Sequence, residues 1–453
     1  MTPVRLSSRG LVLPPQELNG PRRYGRVDGA TLGCFFALSL TVIPARLIFK
    51  GLPLALTPAM LIGLIMGVLW FCAQMVDTLG VAKGRSAVRT SMFLFALSQV
   101  ATYGYSTYSW LPNDELKATD RTFITMMAFV CVGIAVCDGV RGLARIDRVL
   151  KFLVSGATFM AIVGILQFVL AFDLTQYLMF PGLKLAGEIS FVLDRAGFRR
   201  PAGTAEHPIE FGVVCAMAVP LALHYSFRAM DYGGKHWRWW FCTAILGVAA
   251  TQSLSRSAIL GLSLAGLILI PHLPKGRRWK AVVAVAGFVV ALRFLVPGLV
   301  GTLIALFTNI GIDPSIDSRE RGITRAGQEI SEHLWLGRGL GTFLPTKYGY
   351  LDNQYLGTMV MAGMVGLAAL IFLFLAAGYA AMRARITSDD PKVRDLGVTL
   401  AASLSVPAVS AATFDLLAFS VATGFAFLLM GASGALLRAV REEKSMRGVL
   451  VLP

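Results

Sequence analysis

The chain has 453 residues, of which 55% are hydrophobic and only 15% charged, and its mean hydropathy is +0.66. A soluble domain averages about 25% charged residues, so an ordinary water-soluble enzyme is excluded, as is a disordered chain, which needs low hydrophobicity. The 42 Lys and Arg against 26 Asp and Glu leave a net charge of +16. In so apolar a chain that excess belongs first to loops on the cytoplasmic side of a bilayer and not to a nucleic-acid footprint.

Apolar runs of roughly 20 residues, the length that crosses a bilayer core, recur along the chain. Residues 1–29 hold Arg5, Arg9, Arg22, Arg23 and Arg26 without an apolar stretch or a small-residue cleavage site, so they read as a cytoplasmic tail and not as a signal peptide. Spans are predicted at 30–49, 53–76, 91–110, 121–140, 149–172, 209–227, 239–253, 257–273, 281–300, 353–382, 396–413 and 416–438. The fold class is therefore all-α, a membrane domain over residues 30–438 with about twelve transmembrane helices and a cytoplasmic tail at 439–453.

The loops test this count. With the N-terminus inside, the loops at 77–90, 141–151, 228–238, 274–280 and 383–395 and the C-terminal tail all face the cytoplasm, and every one is basic. The loops at 50–52, 111–120 and 414–415 face outward and carry almost no net positive charge. That alternation is the positive-inside pattern, and Trp110, Trp239, Trp240 and Trp279 lie where an aromatic belt belongs. The two long segments, 173–208 and 301–352, fall outside. The six cysteines all lie in apolar runs and form no C-x-x-C, so neither a disulfide framework nor a zinc site is expected.

The informative cations are those the positive-inside rule leaves unexplained: Lys184, Arg195, Arg199 and Arg200 in the first long loop, Arg256 between spans seven and eight, and Arg319, Arg321, Arg325, Arg338 and Lys347 in the second. Arg forks bind phosphate oxygens bidentately and keep their charge at any pH, so an external face rich in Arg points to an anionic ligand near the membrane. The bland alternative is pairing with Glu188, Asp194, Glu320, Glu329 and Glu332.

Three patterns sharpen the case. Phe198 to Phe211 places Arg199 and Arg200 ahead of Glu206, His207 and Glu210 at the start of span six, and an outward helix N-terminus is a natural anion site. Glu210 also suits the helix dipole alone, and His207 before Pro208 also suits a plain turn. Ser253-Leu-Ser-Arg-Ser257 puts Arg256 in a very short external turn, where the alternatives are function and snorkelling. Asp317 to Arg321, Gly337 to Gly341 and Leu351 to Leu356 form the third; Asp352 opens span ten, as an N-cap or as a carboxylate base.

With its order of motifs Arg-x-x-Gly-Thr-x-x-x-Pro (Arg200 to Pro208), Ser-x-Ser-Arg-Ser (Ser253 to Ser257), Leu-Gly-Arg-Gly-Leu-Gly-Thr-Phe and Asp-Asn-Gln-Tyr-Leu leading a span, the chain resembles the O-antigen ligase and Wzy-type polysaccharide polymerase superfamily of bacterial membrane glycosyltransferases over roughly residues 150–375. The resemblance implies a GT-C-like membrane enzyme of the bacterial plasma (inner) membrane that acts, without cofactor or metal, on an oligosaccharide carried by polyprenyl pyrophosphate. Membrane lipids, and flippase and chain-length regulator proteins, are the partners it suggests. Ligases of the family usually open the last motif with histidine. Here Asp352 stands in that place, which tilts the expectation towards polymerisation of repeat units over ligation to another acceptor. The expected site is Arg200, Arg256 and Arg319 on the pyrophosphate, with Arg199 and Arg321 as neighbours in register, and Asp352, or else Glu206 or His207, taking the proton from the acceptor hydroxyl. A transporter or flippase of the same lipid-linked glycans is the rival from another class. It would place ionisable residues at mid-membrane, where only Arg46, Arg293 and Asp415 come near span interiors.

Overall fold

A computed structural model of the protein describes residues 28–52, 54–76, 84–108, 111–186, 193–195, 197–308 and 315–450. The chain is mostly helical. Its helices are α1 Gly29–Val42, α2 Pro58–Gln74, α3 Ala87–Tyr108, α4 Asn113–Gly139, α5 Leu143–Leu170, α6 Pro208–Tyr232, α7 His236–Gln252, α8 Arg256–Leu269 and α9 Lys275–Leu295, followed by α10 Leu299–Thr308, α11 Ser315–Glu332, α12 Pro345–Tyr348, α13 Gln354–Thr387, α14 Pro391–Ser410 and α15 Ser420–Leu450. Two small antiparallel ribbons complete it: β1 Leu47–Phe49 with β2 Leu183–Leu185, and β3 Leu193–Arg195 with β4 Phe198–Arg200.

Many helix starts follow from one pattern. Asp28, Thr57, His207, Ser255, Asn353 and Asp390 each accept a backbone N–H of the first turn, and Pro58, Pro208 and Pro391 take the first helical position, where no N–H is missed. Each predicted span overlaps a helix among α1 to α9 and α13 to α15, the one at 281–300 running on into α10. Length and composition qualify fewer of them to cross a membrane alone: five do, namely α4, α5, α6, α13 and α15, and a sixth if α9 and α10 count as one bent span. The shortfall has visible causes. Helices α1, α2 and α8 are apolar but short, and α14 carries Lys392, Arg394 and Asp395 in its first turns.

Two boundaries differ from the sequence reading. The run predicted as a span to residue 49 stops being helical at Val42, and Leu47–Phe49 leaves as a strand that pairs with the first long loop. Arg46 therefore lies at the edge of the bundle and not within a span. The run predicted as one span at 281–300 breaks after Leu295, where Pro297 and Gly298 (φ 88°) turn the chain, and α10 departs at 113° to α9.

Burial gathers around α6, α4 and α15, whose apolar faces meet α1, α5, α7, α8 and α14. The largest fully buried side chains include Phe36, Phe95, Phe129, Phe211 and Tyr225. One end of the bundle collects the basic helix termini: Arg89 pairs with Asp138 at 3.1 Å, Arg228 with Asp147 at 2.6 Å, and Arg438 donates to the carbonyls of Cys137, Asp138 and Val140.

At the other end α13 is broken. Gly363 has φ 65° inside the helix, and a Cβ there would lie 2.3 Å from the carbonyl of Trp335. The Leu334–Gly339 segment crosses at this point. Met364 and Val365 donate to the carbonyls of Leu334 and Trp335, while Arg338 and Gly339 donate to those of Val360 and Met361. The glycine-rich motif thus serves close backbone approach: Gly337, with φ 69°, would put a Cβ 2.4 Å from the backbone of α13. Non-helical backbone near a membrane is stable only where other groups satisfy it.

Candidate active site

The first long loop brings its cation to the bundle through strand alternation. In β4, Arg199 is exposed and Arg200 is buried, because successive side chains face opposite sides. Arg200 is 9% exposed and its Nε–H donates to the carbonyl of Ser253 at 3.2 Å. The loop that follows is tightly held. The side-chain oxygen of Gln167 accepts the N–H groups of Ala202 (3.1 Å) and Gly203 (2.8 Å), and Thr204 donates to the carbonyl of Thr41 at 2.6 Å.

His207 then caps α6, its Nδ1 accepting the N–H of Ile209 at 3.1 Å. A neutral ring that accepts at Nδ1 carries its proton at Nε2, so the ring presents a donor. Burial, followed by the positive charge of Arg200, pushes the His207 pKa down to about 4, against a smaller upward pull from Asp352. Glu210 is a clamp between helices: its carboxylate accepts from the N–H groups of Glu206 (2.9 Å), Val421 (2.7 Å) and Ala422 (3.1 Å), tying the start of α6 to the start of α15.

The Ser253–Ser257 turn lies against this loop through the Arg200 contact. Leu254 takes a left-handed φ of 48°, Ser255 caps α8 and Arg256 is its first residue, half-buried. Ser257 accepts from the hydroxyl of Thr413 at 2.6 Å, which ties the turn to the 411–419 stretch. That stretch also holds the last motif. Asp415 accepts the N–H of Asn353 at 3.2 Å, and the amide oxygen of Gln354 accepts the N–H of Leu417 at 2.8 Å. The cap of α13 is Asn353, so of the two roles read for Asp352, N-cap and carboxylate base, the first falls away. Asp352 instead sits at φ 46°, a costly conformation for a residue with a Cβ and one that gathers at functional sites.

The second long loop divides its cations. Arg338 pairs with Glu329 at 2.6 Å and Glu115 at 3.2 Å; Lys347 pairs with Asp114 at 2.6 Å and Glu115 at 3.3 Å; Tyr348 donates to Glu115 at 2.8 Å. These two cations belong to a structural network, the bland alternative realised. Arg319 and Arg321 lie on α11, but their side chains fall outside the described residues. Glu329, Glu332 and His333 offer ligand atoms within 4.8 Å of one another and form a group able to hold a metal ion, although Glu329 is already engaged by Arg338.

Two cavities meet at Glu206. One of about 170 Å3 is lined by Arg46, Gln167, Asp173, Arg200, Glu206 and His207. The other, about 380 Å3, is lined among others by Gln99, Arg121, Glu206, Gln354 and Asp415. Burial raises the Glu206 pKa, while Arg121 and Arg46 oppose the rise; Arg46 also donates to the Glu206 carbonyl at 3.1 Å. The structure therefore brings together Arg200, Glu206 and His207, with Asp352 within electrostatic reach of His207 and Arg256 beyond the Ser253 carbonyl. It turns Arg199 outward. Sequence reasoning missed Arg46, Arg121, Gln167 and Asp415 as lining groups. The available signal was the one used for the other arginines, since Arg121 too is a cation at the outward end of its span. Chemically, the small cavity presents guanidinium and imidazole donors to an anion, and a carboxylate of raised pKa faces both chambers.

A mostly helical bundle with five or six helices among the described residues fit to cross a membrane defines a multi-pass membrane protein, and the two chambers form a charged candidate cleft at one end of it. Residues 241–371 match the family model Wzy_C, described as O-antigen ligase. Over that stretch the chain carries the O-antigen ligase domain, the family its motifs resemble. The match takes in Ser253–Ser257 and Asp352–Leu356, while the Arg200–His207 loop precedes it. No curated protein matches the chain.

Proposed function

We propose that the protein is a membrane glycosyltransferase that polymerises oligosaccharide repeat units carried on polyprenyl pyrophosphate into a surface or exopolysaccharide. The O-antigen ligase domain supports transfer of a lipid-linked glycan in general terms. The observation that carries the finer reading is the buried Arg200, held on the Ser253 carbonyl at the wall of a small cavity that shares Glu206 with a larger one. In this reading the small chamber takes the donor pyrophosphate, bound by Arg200, Arg46 and the Nε2–H of His207, with Arg256, Arg319 and Arg321 contributing from the flanking segments. The large chamber takes the acceptor sugar. Glu206 removes the acceptor proton, the hydroxyl oxygen attacks the anomeric carbon of the donor, and the bond from that carbon to the pyrophosphate oxygen breaks. Arginines aimed at the leaving group stabilise the charge that develops there without reorganisation. Burial raises the Glu206 pKa, which makes it a stronger base than a free carboxylate. Asp352, strained and close to His207, is the second candidate for the base. A setting in the plasma membrane of a bacterium, about twelve spans in a GT-C-like arrangement, cytoplasmic termini, independence from metal, and flippase and chain-length regulator partners complete the proposal.

The test is the polysaccharide profile of a strain lacking this protein, rescued by wild type, Arg200→Ala or Arg199→Ala and resolved on a gel. Polymerisation predicts that deletion collapses a long-chain ladder to single repeat units. Wild type and the outward-facing Arg199→Ala should restore the ladder, and Arg200→Ala should reduce transfer by roughly 100-fold or more, as loss of one preorganised charge-stabilising donor does. Long chains that persist on the carrier lipid would mean ligation, and an unchanged profile would overturn the glycosyltransferase reading.

A further inference from the structure

A third cavity, of about 170 Å3, lies at the opposite end of the bundle between α6, α9, α13 and α14. Along α6 it is roughly 30 Å from the site, at about 1.5 Å per residue between His207 and Arg228. Four cations line it, Arg228, Arg277, Arg385 and Lys392, against the carboxylates Asp231 and Asp395. Arg277 is held bidentately by Asp231, and Arg228 pairs with Asp147 behind the wall at 2.6 Å. Arg385 feels the carboxylate of Asp395 and donates to the carbonyl of Arg394 at 3.5 Å, and Lys392 lies over the ring of Tyr232, 4.3 Å from its centroid. His224 lines the same cavity and is only 7% exposed, and its Nε2 has no hydrogen-bond partner among the described residues. A buried polar atom in this state calls for a partner that the chain itself does not supply. Nothing in transfer at the far end uses any of these groups.

We infer that this cavity holds a phosphate group, with Arg385, Lys392 and the Nε2–H of His224 as its donors. Its level in the bundle points to the source. Exposed Trp237 and Trp279, at 62% and 72%, and exposed Tyr232 lie at the same end, as aromatic side chains do at headgroup depth. Basic pockets between helices at that depth take phospholipid headgroups, and the apolar Leu223, Phe227 and Leu269 in the wall suit a glycerol backbone. The ligand is therefore the phosphodiester of an anionic phospholipid in that leaflet.

The experiment is native mass spectrometry of the whole protein in neutral detergent, titrated with phosphatidylglycerol, with phosphatidylcholine or with inorganic phosphate. It compares wild type with the double variant Arg385→Ala/Lys392→Ala and with Arg238→Ala, a cation at the same end outside the cavity. Wild type should bind phosphatidylglycerol about tenfold or more tighter than the double variant does, with Arg238→Ala unchanged. All three proteins should melt alike without lipid, since Arg385 and Lys392 are only half-buried. Phosphatidylglycerol binding without a response to phosphate assigns the site to a headgroup, and a response to phosphate alone assigns it to a free anion. Equal affinity in wild type and double variant, or an equal loss in Arg238→Ala, overturns the site.

Discussion

At the scale of single residues, Arg199 and Arg200 are adjacent and chemically identical, yet only one reaches the site. In the sequence they are interchangeable, because what separates them is the pairing register of a ribbon whose other strand starts at Leu193. His207 is the more instructive case. As a residue before proline at a helix start it was legible as a candidate for the site, with a base as its suggested role, while the cap geometry, with Nδ1 accepting the N–H of Ile209, leaves the ring a donor at Nε2. The variant His207→Asn separates the two functions of the ring. Asn is a good helix cap, so the variant should fold with little loss of stability, yet it lacks the Nε2–H and should transfer roughly tenfold more slowly, about the worth of one charge-assisted hydrogen bond. Its pH behaviour gives a second readout. The ring titrates near 6.5 ordinarily and at about 4 in the folded chain, so between these values the unfolded chain binds the proton first and stability falls as the pH falls. Above 6.5 neither state is protonated and His207 contributes no slope. Thermal unfolding between pH 4 and 7 should show a shallower acid-side loss in His207→Asn than in wild type; identical slopes would refute the depressed pKa.

At the scale of elements, the helices were legible because apolar runs and capping residues are local signals. Their ends were less so. The apolar run through Leu47-Ile-Phe49 continues a helical pattern, and only pairing with β2, some way along the chain, turns it into a strand. The glycine motif at 337–341 carried no readable function in sequence, since its partner is the break in α13. That break gives a prediction. Gly363→Ala should lower stability by about 2 kcal/mol or more, from the left-handed backbone and the contact with Trp335 together. Gly378→Ala, in the same helix with nothing near the added carbon, should be neutral or slightly stabilising. Thermal unfolding in detergent compares them; equal melting of the two variants would show that the break relaxes freely.

At the scale of the whole molecule, the alternation of basic loops placed the two ends of the bundle, and the structure gathers Arg89, Arg228, Arg277 and Arg438 at one of them. The composition of each helix alone would have found only about half of the predicted spans. Long-range pairing was beyond the sequence: Glu115, at the start of α4, is the buried hub for Arg338, Lys347 and Tyr348 across more than 200 residues. Glu115→Gln should destabilise the protein by roughly 3 kcal/mol, because removing one charge from a buried network leaves its partners uncompensated. Asp114→Asn, at the exposed edge of the same network, should leave melting unchanged. If Glu115→Gln melts like wild type, the network adapts and does not fasten the outer loop.

The break in α13 also bears on how chains of this design can vary in length. Because Leu334–Gly339 supplies hydrogen bonds in register to both sides of the break, adding or removing one residue there would shift donors onto the wrong carbonyls. Insertions and deletions should therefore be tolerated only before or after this crossing, which acts as a fixed ruler between the outer face of the cleft and the helix that carries the last motif.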